Sequence, residues 1–571
     1  MTMMLRNSTL GLSCAATIAA LTFSSTPAFA QQRVSDAHVQ ELIREAAKLA
    51  ANGQTSTPTT AQQGGQTTAP AAGLKVSLTI EDAVKLALDK NLDIVVQRLN
   101  PEINDLSIAT ARAAFFPSLT STVLTQGTTT PSTNSIAGGA AAAPVTQDAS
   151  NWNGGLAQNL RWGGGNYNLT LNNTRSTSTS TVNLYNPSYQ PLWSAQFTQP
   201  LLRNFRTDNN RQQLQVTKLN RDISDVQLKA TITNTVSNVR NAYWDYVFAV
   251  QSVDVAKQSL DLANKQVEDN QTRVQVGTMA PIDVVQAQAQ AASALQNLVV
   301  AQASMRTGEL ALKRLIVSGT EDPNWNANLD PVDRPEFRPE EIDLDAAIRR
   351  ALSQRTDLLT AQKDVQINDV TLKYLNDQTR PQADVVANYG LGGIGGTQLQ
   401  RANSGIGGGP NPITGSIPGG YTDSLSSLFG ANYPRWTVQL NFSYPLGLSA
   451  QSANVARARV QLNQVQAQLK QLELQVATDL TNQAITIRSN AERVQAAQAA
   501  RELAQRQLDA ENSKFAVGMS TNYFVITAQN QLSTAQNNEL QAILNYRKSL
   551  VDFDRLQQTT LTSQNITLVG R

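Results

Sequence analysis

The chain is written twice, and that restricts it to folds that use one structural unit two times over. Residues 78–117 (LTIEDAVKLALDKNLDIVVQRLNPEINDLSIATARAAFFP) align without a gap on residues 342–381 (IDLDAAIRRALSQRTDLLTAQKDVQINDVTLKYLNDQTRP). Eight of the forty positions are identical, among them Ile103-Asn104-Asp105 against Ile367-Asn368-Asp369. A second pair follows further on, residues 276–288 against 517–529, each opening Val-Gly and closing Ala-Gln. Function should then be sought in what two such units build together. Neither copy carries a catalytic cluster, which points away from an enzyme.

The first thirty residues read as a secretory signal: Arg6, an apolar run over 10–23, then Pro27 and the small-residue triplet Ala28-Phe29-Ala30. That run is too short to span a bilayer as a helix. Cys14 inside it is the only cysteine, so the exported protein is expected to have no disulfide and no thiol chemistry. His38 is the only histidine, and no zinc, copper or haem site, nor any other cofactor, is expected. A formal net charge of +2 gives no argument for nucleic acid as a partner. No later stretch is apolar enough for a membrane helix, so any spanning part is expected to be a β-barrel. Residues 31–76 divide into an amphipathic helix (SDAHVQELIREAAKLAAN) and a Pro/Gly-rich tether of low complexity.

The body begins near residue 78. Thr79 with Asp82 resembles a capping box, and Asp343 holds the matching place in the second copy. Each copy is expected to run as one helix of some 35 residues, ending at Pro117 or Pro381, after which the periodicity turns from helical to alternating. Alternation is clearest over residues 436–444, where Trp436, Val438, Leu440 and Phe442 take turns with small or polar residues, and over 192–198. In a membrane barrel the apolar face meets lipid and the polar face a wet lumen. Gly/Ser/Thr/Asn-rich stretches over 127–151 and 392–433 read as long outer loops. Residues 156–171 suggest an extra hairpin, and the pattern leaves open whether it joins the wall. Past Pro200 and Pro445 come tracts poor in Gly and Pro, over 206–275 and 450–516, with coiled-coil stepping at Leu462, Val465, Leu469, Leu472 and Val476. Each would extend roughly 100 Å at 1.5 Å per residue. Two shorter helices stacked end to end match one such tract, with reversals at Gly277 and Gly518 and a joining bulge over 317–341.

Four strands cannot close around a lumen, and an open edge in lipid leaves backbone groups unpaired. Three copies would supply twelve strands above a hollow helical cylinder. At this point the chain resembles the TolC-like outer-membrane efflux and secretion channels from residue 78 to about 557. The resemblance is carried by LTIEDAVKLAL and IDLDAAIRRAL, FTQPLLRNF and FSYPLGLSA, and the tips RVQVGTMAPIDVVQAQ and KFAVGMSTNYFVITAQ. It implies a fold of mixed α and transmembrane β: two repeats, over 77–341 and 342–557, with a C-terminal tail over 558–571. The strands of three chains share one outer-membrane barrel, and a coiled-coil helical barrel lies beneath it in the periplasm. Pro117, Pro200, Pro381 and Pro445 would mark the strand–helix junctions. It further implies a homotrimer set in outer-membrane lipid that passively exports substrates. A periplasmic adaptor (membrane fusion) protein would dock on it, linked to an inner-membrane pump or ABC transporter, in a tripartite efflux pump or a type I secretion system. Val276, Gly277, Thr278, Val517, Gly518 and Met519 fall where relatives meet the adaptor. Asp283 matches an acidic position of the periplasmic gate, with Arg273 close enough in sequence to offset its charge, while Phe524 and Thr527 stand where the second copy lacks the acid. The alternative is a non-transporting coiled-coil protein of the cell envelope, which needs neither strands nor lumen.

Overall fold

The structure, a computed structural model, describes residues 75–131, 143–334, 337–402, 413–447 and 449–563. The signal peptide, the amphipathic helix with its tether, and most of the C-terminal tail lie outside the described residues.

Each repeat opens with two helices in place of the single long one the periodicity predicts. In the first, α1 (Ile80–Lys90) and α2 (Leu92–Ala113) break at Asn91; in the second, the corresponding pair (Leu344–Gln354 and Thr356–Gln378) breaks at Arg355. The causes are local. Asn91 Oδ1 accepts from the Asp93 and Ile94 amides, capping α2, while its Nδ2 donates to the Leu315 carbonyl. A buried side chain that satisfies both a new helix start and a distant carbonyl favours the break over one more helical turn. Arg355 instead clamps Asp357 with two nitrogens, at 3.1 and 2.6 Å. Upstream, Thr79 and Asp343 cap as expected, accepting from Asp82 N and Ala346 N.

The long helices follow the sequence closely. α3 (Asn209–Gln275) and the corresponding helix of the second repeat (Ala450–Ala516) have 67 residues each, about 100 Å. Their returns are α4 (Pro281–Ile316) and the helix Asn522–Gln557. Numbered in chain order, α5 is Pro323–Asn326, α6 Leu344–Gln354, α7 Thr356–Gln378, α8 Tyr421–Phe429, α9 Ala450–Ala516, α10 Asn522–Gln557 and α11 Thr560–Ser563. In the joining bulge, β6 (Asn328–Pro331) pairs in parallel with β1 (Lys75–Leu78), four-residue strands that periodicity does not announce.

The sheet is wider than the four strands that alternation marks most strongly. Its main path contains six strands: β2 (Ser118–Thr130), β3 (Val145–Asn159), β4 (Asn166–Ser178), β5 (Tyr185–Pro200), β7 (Gln382–Gly392) and β10 (Tyr433–Ser443). They lie antiparallel in the order β10-β7-β5-β4-β3-β2. The residues around 156–171 therefore join the sheet. The stretch 392–433 is no bare loop, since it holds β8 (Gly395–Arg401), β9 (Ile413–Ile417) and α8. Pro117 and Pro381 directly precede β2 and β7, Pro200 ends β5, and Pro445 lies two residues beyond β10.

Each repeat has its own core around the joints of its helices. Ala83, Val84 and Ala87 of α1 meet Ile232, Val236 and Tyr243 of α3 and Leu312 of α4. Ala347 and Ala351 of α6 likewise meet Val476, Leu480 and Ile487 of α9 and Tyr546 of α10. The Tyr243 hydroxyl lies 2.7 Å from Asp333 Oδ2 and 3.0 Å from the Leu78 carbonyl oxygen. Burial, reinforced by Asp333, raises that phenol well above the ordinary tyrosine range. The first core is also fastened by Lys90, whose Nζ is 2.8 Å from Asp322 Oδ2 on a side chain only 2% exposed. With the Asn324 amide donating as well, the Asp322 carboxyl falls to about 2. A carboxylate held below its unfolded value of about 3.9 contributes stability that is complete above that value and is lost as the pH falls through the folded one. Asp322→Asn should therefore lower the unfolding temperature at neutral pH, and the gap to the unaltered protein should close between pH 4 and pH 2. A gap independent of pH across that window would contradict the charged pairing.

Candidate functional site

The two helical hairpins end in near-identical turns. Gly277 and Gly518 have φ of +75° and +78°, a conformation that costs a residue with a Cβ and that only glycine adopts freely. The Gly277 amide donates to Val274 O and the Thr278 amide to Arg273 O; Gly518 and Met519 repeat this on Phe515 O and Lys514 O. This paired pattern is a Schellman C-cap. A Cβ on either glycine would meet open space, so backbone conformation alone demands it. Val276, Val517 and Met519 are exposed large apolar side chains at the tips.

The gate residues named from sequence are gathered at this end, though not as a charge pair. Asp283 sits in the first turn of α4 after Pro281, and its contact with the neighbouring hairpin is made through its backbone carbonyl. Arg273 turns to α9: its guanidinium stacks 4.4 Å from the Phe515 ring and Nη1 donates to the Phe515 carbonyl. Phe524 is exposed and packs edge-on to Tyr523, and the Thr527 hydroxyl donates back to Tyr523 O. Glu511, held by Lys514 and Ser520, is drawn below the ordinary carboxylate range by those two hydrogen bonds.

Between the hairpins lies a neutral cluster that sequence reasoning missed. Gln266 and Asn270 of α3 both donate to Asn522 Oδ1, at 3.1 and 3.0 Å, and Asn270 and Asn522 each donate to the Asp283 carbonyl. All three amides are buried. The available signal was that Ala263, Gln266 and Asn270 step by three and four, which places two amides in seam positions normally apolar. On the sheet side of this clasp, Val525, Ala528 and Leu532 of α10 pack on Leu508 and Phe515 of α9.

At the other end, the strand register sorts the sheet into two faces. One row across all six strands reads Trp436, Tyr389, Ala195, Leu169, Leu156, Leu119; the next row, on the opposite face, reads Thr437, Asn388, Gln196, Asn168, Ala157, Ser118. The first is apolar throughout and the second almost wholly polar, the division a wall between lipid and water requires. Helices hang below in the same order, α9 from β10, α7 from β7, α3 from β5 and α2 from β2.

The clasp makes a checkable claim. Asn522→Leu removes the shared acceptor and leaves the buried Gln266 and Asn270 amides one hydrogen bond short each, at a cost of about 1–3 kcal/mol. Hydrogen exchange at the start of α10 and the end of α3 should quicken while the cores around Tyr243 and Tyr546 keep their protection. Unchanged exchange at the tips would show that the clasp does not hold the hairpins together.

With this geometry established, the chain can be set beside known proteins. The profile of the outer membrane efflux protein family matches residues 166–317 and 347–556. No curated protein sequence matches the chain. Among solved structures, the Campylobacter jejuni CmeC outer membrane channel is 13% identical with a TM-score of 0.58, over 86% of this chain and 90% of that one. The outer membrane protein VceC of Vibrio cholerae is 15% identical with a TM-score of 0.57, over 84% and 95%. A membrane protein of Pseudomonas aeruginosa is 14% identical with a TM-score of 0.60, over 84% and 90%. The fold is thus that of the TolC-like channel-tunnels, and the chain belongs to the outer membrane efflux protein family.

Proposed function

We propose that three copies of this chain close into a channel-tunnel through which substrates leave the periplasm passively, driven by partner pumps. One observation carries the reading: among the described residues the main strand path ends in two open edges, and each runs unbroken from sheet to helices. On one side lie β2 and α2, with α4 beneath; on the other lie β10 and α9. Large apolar side chains are bare along both, at Leu92, Leu99, Ile103 and Leu106 of α2 and at Val460, Leu474 and Ile485 of α9. β2 runs opposite to β10, so the edge of one copy can extend the sheet of the next antiparallel. An interface between two different surfaces closes into a ring when the rotation between copies divides a full turn. Three is the number that the resemblance to TolC-like channels implies.

In this assembly the tips are the periplasmic end. Val276, Gly277, Thr278, Val517, Gly518 and Met519 form the docking surface for a periplasmic adaptor linked to an inner-membrane pump or ABC transporter. Three copies of Asp283 ring the axis, and the Asn522 clasp holds each chain's hairpins together in the closed state. Service in a tripartite efflux pump and in type I secretion are both compatible with these tips. A non-transporting coiled-coil protein would have no use for a sheet divided into one apolar and one polar face.

The purified protein should run as a trimer that heat dissociates, and should sediment with the outer membrane and resist washing with salt. A monomer in mild detergent, or release from membranes by salt, would contradict the proposal.

A further inference from the structure

The β3–β4 hairpin has no counterpart in the second repeat, where β7 and β10 are linked through β8, β9 and α8. It also has no helix below it. β2, β5, β7 and β10 each continue into a long helix, whereas β3 and β4 turn back on one another, with the Leu160 amide donating to the Gly165 carbonyl. Such an insertion can lie in the wall, fold into the lumen, or cover the outer surface.

Register and chemistry distinguish these. β3 is paired along its length with β2 on one side and β4 on the other, and β4 is paired in turn with β5. The alternation of the hairpin is in phase with the whole sheet: Leu156 and Leu169 stand in the apolar row, Ala157 and Asn168 in the polar one. On the polar face, the Thr170 and Ser194 hydroxyls lie 2.6 Å apart, tying β4 to β5. The turn itself is seated at the level where the other strands become helices. Gln158 and Asn159 donate to the carbonyls of Phe115 and Ala114 at the end of α2, and Gln199 donates to Gly163 O. Gly164, at φ +65°, approaches Asn204 so closely that a Cβ would fall 2.3 Å from its carbonyl oxygen.

We infer that this hairpin is a membrane-spanning part of the wall, which makes the closed barrel eighteen-stranded. The inference rests on the trimeric channel proposed above. With strands about 4.8 Å apart and tilted about 40°, eighteen make a ring about 113 Å around, against about 75 Å for twelve. Twelve helices about 10 Å apart make a ring about 120 Å around. The wider wall therefore carries the bore of the helical tunnel across the membrane with little narrowing. Barrels of about this strand number enclose an aqueous channel.

Imaging the full-length trimer by electron microscopy should resolve six wall strands per chain, eighteen in all. Three chains closing a twelve-stranded wall, with the hairpin elsewhere, would overturn the inference and leave the trimeric channel standing. Absence of any closed ring of three would overturn the channel reading itself. A second measurement needs no image: in intact membranes a polar thiol reagent should label Thr170→Cys, and labelling should be lost at Leu169→Cys. Equal labelling at both positions would place the hairpin outside the wall and overturn the inference.

Discussion

The backbone groups along the free sides of β2 and β10 find no strand partner among the described residues, and most of the architecture answers to that fact. In water such edges would be satisfied by solvent. In hydrocarbon each unpaired group costs several kcal/mol, which no packing elsewhere in the chain can offset for a whole strand. In the assembly proposed above the sheet is completed by another copy, and every element attached to its edges is brought to the interface with it.

The strand order and the helix order agree because each long helix is a direct continuation of a wall strand. In the proposed trimer, closure of the sheet would also close the helical cylinder and bring the exposed apolar residues of α2 and α9 together. The joints are kept stiff by two similar cores, one per repeat, each anchored by a buried tyrosine: Tyr243 on Asp333 and Leu78, Tyr546 on the Arg338 carbonyl. The tips are built otherwise. An uncharged cluster of Gln266, Asn270 and Asn522 spans the two hairpins there, and neutral amide bonds are modest in net energy. A link of that kind can part without leaving a buried charge behind. In the proposed channel, two packed joints and a separable clasp would place movement at the tips and keep it out of the wall.

Much of this was legible from residues alone. The duplication, the long tracts over 206–275 and 450–516, their returns at Gly277 and Gly518, and the alternating strand over residues 436–444 follow from periodicity and from the φ that glycine permits. What escaped has identifiable physical reasons. Asn91 breaks a helix through a hydrogen bond to Leu315, more than two hundred residues away, which no local pattern contains. The hairpin alternates weakly because Gly154 and Asn173 stand on its apolar face where β10 carries large apolar side chains. Helix α8 is hidden in a Gly/Ser-rich stretch and held by tertiary contacts, with Tyr421 against Trp152 and Tyr189. At the tips, Arg273 found an aromatic ring in place of a carboxylate, and the amide clasp went unseen because seam patterns are read by counting apolar residues.

The most direct test is covalent. With Cys14, the only native cysteine, replaced by serine, a cysteine at Val438 in β10 can be paired in turn with one at Leu119, Ser121 or Val123 in β2. Oxidation of at least one such double variant in membranes should yield disulfide-linked trimers that vanish on reduction. Disulfides formed only within single chains, or none with any pair, would contradict closure of the wall by neighbouring copies.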